Sequence, residues 1–229
     1  MSHPTTRPTR DDPAIRIPAR AATLAGFRAW ALSDEFPERG RFSFINGELF
    51  VDMSPEELET HNKVKTEVVF AIANLNKELD LGEFYSDGTL VTNEVADLST
   101  EPDGAFVTWR SFEEGRVRLT PREDRPGQYV ELQGTPDWIL EVVSRSSVAK
   151  DTRVLREAYH RAGVPEYWII DARFNAIDFQ VLRHRRDRYV VAAPRGGWHR
   201  SSVFGRGFRL ERRLNRMGRW RYTLQVAPA

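Results

Sequence analysis

The stretch that most restricts the fold runs from Pro136 to Asp171, PDWILEVVSRSSVAKDTRVLREAYHRAGVPEYWIID. It opens on the apolar run Trp138-Ile139-Leu140, then Val142-Val143, between Gly134-Thr135-Pro136 and Ser144-Arg145-Ser146-Ser147. A continuous apolar run of that length reads as a strand buried on both faces. Glu141 sits inside it, and a glutamate there is costly unless a cation or metal ion pairs with its charge. From Asp151 to Ala162, Val154, Leu155, Ala158, Tyr159 and Ala162 recur at helical spacing, and Gly163 with Pro165 ends the segment. The strand Tyr167-Trp168-Ile169-Ile170 follows directly. Strand, helix, strand with short joins is a crossover unit and predicts parallel pairing.

Around this unit the chain reads as one α/β domain. Residues 1–20 hold four prolines and mixed charge, which predicts a mobile leader, and residues 21–229 form the single domain. Thr23 is placed to cap a helix over 24–32. Asn46-Gly47, between alternating apolar positions, predicts a hairpin, with Glu48 as a polar residue of an edge strand. A long helix is expected from Ser54 to Leu79, with His61 near its start on the polar side or at a cleft edge. Strands are expected over 83–92, with a bend or bulge at Asp87-Gly88, and over 103–109 after Glu101-Pro102. Residues 110–135 look like a polar insertion loop with a short strand at 129–132. Strands over 176–183 and 189–193 and short C-terminal β elements complete the reading.

The chain has no cysteine, which excludes disulfides, thiolate zinc sites and thiol catalysis. No apolar run approaches the roughly 20 residues that cross a bilayer. The first residues lack a signal-peptide core, so a cytoplasmic location is expected. Net charge is only +1, but from Arg183 to Arg221 there are 13 arginines and two acids, Asp187 and Glu211, which leaves about −10 elsewhere. Such a segment suits phosphate contacts, and equally it is an ordinary solvated surface.

Asp103, in Glu101-Pro102-Asp103, and Glu141, in Leu140-Glu141-Val142-Val143-Ser144, resemble the two acidic positions of the PD-(D/E)XK nuclease superfamily. More closely, PDWILEVVS, the following serine, Asp151, Tyr159 and AGVPEYWIID resemble the "putative restriction endonuclease" family, domain of unknown function 820. The likeness extends over roughly Phe42 to Leu210 and takes in the Asn46-Gly47-Glu48 hairpin and Met53-Ser54-Pro55 with His61. It implies a restriction-endonuclease-like core, a central mixed sheet flanked by helices, with an extra N-terminal hairpin and C-terminal β elements. It also implies an endonuclease that hydrolyses DNA phosphodiesters with Mg²⁺ (or Mn²⁺) on Asp103 and Glu141. Such an ion polarises the phosphate and lowers the pKa of an attacking water, and a nearby lysine offsets developing charge.

That lysine is displaced in this chain. Two residues after the acid, the superfamily position, stands Val143; four residues before the helix tyrosine, the position in the resembling family, stands Leu155. Leu155 shares a helix face with Asp151 and Tyr159 and cannot do a lysine's chemistry. Lys150, at the helix start, is the best candidate to replace it, and equally reads as a solvated helix-end lysine, while Arg153 and Arg156 are rotated about 200° and 100° away. The alternatives are a nuclease-fold protein that binds nucleic acid or a partner without cutting, and a metal-free subunit in which Glu141 is salt-bridged. DNA is the expected partner, a membrane is not, and cutting both strands favours a homodimer because one site cuts one strand.

Overall fold

The structure, a computed structural model, describes residues 15–122 and 125–228. Most of the expected leader, residues 1–14, lies outside the described residues, and Ala19–Ala22 make a 3₁₀ turn. Helix α1 (Leu24–Ala31) follows, its Gly26 N–H donating to the Thr23 hydroxyl. Strands β1 (Arg41–Ile45) and β2 (Glu48–Asp52) form the expected hairpin. Asn46 (φ 52°) and Gly47 (φ 80°) supply the two left-handed residues of its turn.

Helix α2 (Lys63–Leu79) begins later than the sequence suggests. Residues 54–57 are extended, Glu57 accepts the N–H groups of Glu59 and Thr60, and one π-helical turn, Leu58–Asn62, leads in. The single strand expected over 83–92 is two, β3 (Gly82–Ser86) and β4 (Leu90–Asn93), which join different sheets. The Asp87-Gly88 bend is therefore the crossing point rather than a bulge. After β5 (Leu98–Thr100) come β6 (Gly104–Thr108) and α3 (Trp109–Glu113). The supposed insertion loop is ordered as α3 and an antiparallel pair, β7 (Val117–Pro121) with β8 (Tyr129–Gly134). Val117 and Leu132 are buried in the core, while Arg118 beside Val117 is exposed.

The crossover unit forms as read: β9 (Trp138–Val142), a π-helical turn at Lys150–Val154, α4 (Leu155–Arg161), then β10 (Glu166–Asp171) parallel to β9. Strands β11 (Asp178–His184), β12 (Tyr189–Val191), β13 (His199–Arg200), β14 (Gly207–Leu214) and β15 (Trp220–Ala227) complete the chain. The last two make a hairpin of eight-residue strands, longer than the short elements expected there.

Three sheets result, in the orders β2-β1-β5-β4-β8-β7, β12-β11-β10-β9-β6-β3 and β13-β14-β15. The second is the mixed central sheet. Side chains alternate across β9, so that Trp138, Leu140 and Val142 pack toward α2 and the C-terminal hairpin. Ile139 and Val143 pack toward α4 and the first sheet. Glu141 therefore points to the α4 side. Trp138 and Trp168 meet edge to face at 5.2 Å with no exposed surface. Burying side chains of that size contributes roughly 1.5–3 kcal/mol each. A separate aromatic cluster of Phe27, Trp30, Phe42 and Phe44 seats α1 on the first sheet.

Candidate active site

The two candidate acids come together because β6 and β9 are neighbours in register, with Gly104 opposite Leu140. Asp103 precedes β6, and its Oδ2 accepts the Val142 backbone N–H at 2.7 Å, which ties it to the β9 segment that carries Glu141. Gly104 allows this closeness, since a Cβ there would meet the Trp138 ring at 3.2 Å. Both carboxylates are buried, 6% and 4% exposed. The other Pro-Asp pair has a different job: Asp137 accepts from Thr108, Ser111 and Arg116 and is used up holding the start of α3.

Asp103 and Glu141 differ electrostatically. Burial opposes the charge of Asp103, but His61 (Nε2 at 3.6 Å), Lys65 (Nζ at 3.5 Å) and the Val142 N–H hold its pKa below the ordinary value. Glu141 accepts one hydrogen bond, from the Tyr159 hydroxyl at 2.8 Å. Burial, with the carboxylates of Asp151 and Asp103 nearby, pushes its pKa well up; Lys150 and Tyr159 only partly counter this.

Lys150 faces this group. Burial disfavours its charge, yet Glu141, Asp151 and Asp103 together raise the ammonium pKa above its usual value. Its Nζ lies 3.8 Å from Asp151 Oδ1. Leu155 is fully buried in the apolar cluster around Ala158 and Tyr159, so its place is filled by packing.

Three site residues were missed or misplaced by sequence reasoning. Asp151 is a third buried carboxylate, 1% exposed; burial is the main cause that pushes its pKa up to about 6. Its Oδ2 accepts from the Ser147 hydroxyl, while buried Oδ1 has no hydrogen-bond partner. The signal was present, since Asp151 lies on the helix face that sends Tyr159 to Glu141. His61, expected on the polar side or at a cleft edge, is buried, 4% exposed, 3.6 Å from Asp103, and its Nδ1 also lacks a hydrogen bond. Lys65, on α2, links Asp103 to Glu56 and to Asp87 (2.8 Å), and no spacing in the sequence foretold it. His61 and the Lys150–Asp151 pair both lie on the π-helical turns, a distortion frequent at functional sites. Glu48 is an exposed residue of β2, away from this group.

The donor chemistry fits a hard divalent cation. Among the described residues no three His, Asp or Glu side chains are placed to hold a metal together. Mg²⁺ commonly takes only one or two carboxylates and fills its shell with water and substrate phosphate. The crowding of Glu141, Asp151 and Asp103 is a repulsion that such a charge relieves.

A central mixed sheet flanked by helices, with β6 and β9 as neighbours, makes this a nuclease-like α/β fold. The chain belongs to the Uma2 family, described as "Putative restriction endonuclease", which it matches over residues 24–214. Its fold is similar to a crystal structure from Anabaena variabilis ATCC 29413 described as a "putative nuclease belonging to DUF820". That likeness has a TM-score of 0.58 at 18% identity and covers 80% of this chain and 90% of the other. No curated protein matches the chain. Among the described residues no helix is long and apolar enough to cross a membrane.

Proposed function

We propose that the protein is a metal-dependent endonuclease that hydrolyses phosphodiester bonds in DNA, working in the cytoplasm. The observation that carries this reading is the convergence of Asp103, Glu141 and Lys150 at one end of β6 and β9, with Glu141 short of compensating charge. Asp103 and Glu141 would hold Mg²⁺ or Mn²⁺. When bound, the ion polarises the scissile phosphate and lowers the pKa of the attacking water. Asp103, fixed by the Val142 N–H, keeps its oxygens in place without rearrangement. Tyr159 orients the Glu141 carboxylate. Lys150, cationic across the physiological range, offsets charge gathered on the phosphoryl oxygens, the task that Leu155 cannot perform. A two-fold dimer would cut both strands.

A second reading rests on Leu155: a nuclease fold that retains DNA but does not cut it. Incubation of supercoiled plasmid and of single-stranded DNA with Mg²⁺ or Mn²⁺ separates the two, with wild type set beside Glu141→Ala. Nicking that disappears in the variant supports the endonuclease. Salt-sensitive DNA binding with no nicking in either metal supports the second reading.

A further inference from the structure

The C-terminal hairpin sorts its arginines into two kinds. Arg212 stacks over Trp220 at 4.2 Å and donates to the carbonyls of Ala172, Phe174 and Asn175. Arg209 stacks over Trp198 at 4.7 Å and is bonded to Gln225 and Glu211. Both are fastened to the protein. The side chains of Arg213, Arg216, Arg219 and Arg221, by contrast, are exposed and make no hydrogen bond or ion pair within 4 Å among the described residues. Residues 213–221 hold these four arginines and no acid.

Two of them are set against each other. Arg213 and Arg221 are direct cross-strand partners on the outer face of β14 and β15, an arrangement of like charges that weakens a strand pair unless an anion lies between or beside them. Met217, 72% exposed, stands at the apex of the turn between Arg216 and Arg219. A two-stranded ribbon is narrow enough to enter a DNA groove, and apolar apex residues flanked by arginine suit that surface.

The hairpin is also anchored beside the catalytic group. The Trp220 N–H donates to Glu59 at 3.0 Å, and Lys63 Nζ donates to the Trp220 carbonyl at 3.1 Å. Gly218, Arg219 and Trp220 form one wall of a cleft of about 680 Å³ whose other wall is Glu56–Thr60. The acids of that wall are engaged: Glu56 by Lys65, Arg41 and Asn62, Glu57 by backbone N–H groups, and Glu59 by Lys63 and by the nearby positive charge of Arg219. Glu56 in turn lies 3.8 Å from His61, which reaches Asp103. Resting on the nuclease reading above, we propose that Arg213, Arg216, Arg219 and Arg221 form a phosphate clamp that grips the backbone of duplex DNA beside the scissile bond.

The test uses the full chain and a fluorescent duplex, with Ca²⁺ in place of Mg²⁺ so that binding is read without cutting. The double variant Arg213→Gln with Arg221→Gln should lose roughly 50-fold in affinity at 0.1 M salt, and its slope of log K against log salt should fall by about 2. Its melting temperature should stay level or rise, because a repulsive pair has been removed. The control is Arg186→Gln with Arg188→Gln, an equal change of charge in the exposed turn after β11. Equal losses in the two double variants, an unchanged slope, or a fall in melting temperature as large as the binding loss would overturn the clamp. In Mg²⁺, the clamp variant should show a raised KM and an unchanged kcat. Wild type that binds through these arginines yet never cuts would sink the nuclease reading and leave the clamp standing. Cutting unaffected by the double variant would sink the clamp alone.

Discussion

Glu131 and Glu141 are buried glutamates ten residues apart in the sequence, one in the first sheet and one in the second, and they are treated in opposite ways. Glu131 receives Arg28 through two nitrogens, at 2.8 and 2.6 Å, and Thr120 at 2.8 Å. Burial opposes its charge, but these partners hold its pKa below the ordinary value. Glu141 has one hydroxyl and two nearby carboxylates, and its pKa goes up. Glu166, fully buried, also has its oxygens taken, by Trp168, the Ser202 N–H and the Ser202 hydroxyl. A buried acid alone is thus no mark of a site in this protein. The mark is a buried acid whose partners are too few and partly of its own sign, which sets the proposed cation site apart from a finished structural ion pair.

The comparison breaks first at activity. Glu141→Gln should lower plasmid cleavage by at least about 10²–10³-fold, since it removes an anionic ligand and leaves the fold's volume unchanged. Glu131→Gln should leave cleavage per folded molecule within twofold. An inactive Glu131→Gln with wild-type stability would mean that the two residues had been assigned the wrong way round. In stability the order reverses. Glu131→Ala leaves Arg28 with only the exposed Glu94 and should cost about 2–3 kcal/mol by urea unfolding, whereas Glu141→Gln should cost nothing or stabilise.

Lys150 sharpens the same contrast, because its charge is set against three clustered carboxylates while Arg28 is paired with Glu131 and, at 3.3 Å, with the exposed Glu94. Lys150→Ala should reduce kcat by about 10–100-fold with little change in melting temperature, measured on the same plasmid substrate. A restoring change, Leu155→Lys in the Lys150→Ala background, would put an ammonium four residues before Tyr159. Recovery of cutting would show that only the position of the charge had shifted. Leu155 lies in the apolar core, so the melting temperature of that variant must be read alongside its activity.

The sequence made the crossover unit legible because its periods are clean: a two-faced apolar strand, a helix with a glycine stop, and a second strand. The Asp103–Glu141 pairing rested on resemblance, and only the β6–β9 register brings them together. Other features lay beyond local pattern. One apolar run, 83–92, gave no sign that its halves belong to different sheets, since each half alternates in the same way and the Asp87-Gly88 bend reads alike in both cases. Residues 110–135 looked like a loop because polar and charged residues alternate with the apolar ones there, and the burial of Glu131 against Arg28 comes only from the packing of α1. Lys65 and Asp87 meet only through the packing of α2 against the sheet crossing, a contact between residues 22 apart. Asp151 was the avoidable miss, as the face shared with Tyr159 already pointed it at Glu141.

The smallest expected effect is the most specific. In metal-free protein, Glu141 has a folded pKa above its unfolded one, so its contribution to stability is present at low pH and is lost as pH rises through the folded value. Asp151, moved from 3.8 to about 6, acts in the same direction across that interval. The advantage of Glu141→Gln over wild type should therefore grow between pH 5 and pH 8. Glu131 has the opposite sign: its pKa is lowered, its stabilisation is present above the ordinary carboxylate value and fades as the solution is acidified through the folded one. The deficit of Glu131→Gln should accordingly shrink on acidification. On the proposed reading, Mg²⁺ would supply the missing charge to one glutamate only. At ten times its dissociation constant it should add about 1.4 kcal/mol, a few degrees of melting temperature, to wild type and to Glu131→Gln, and nothing to Glu141→Gln. A Mg²⁺ shift that survives in Glu141→Gln would place the cation elsewhere and remove the physical distinction between the two glutamates.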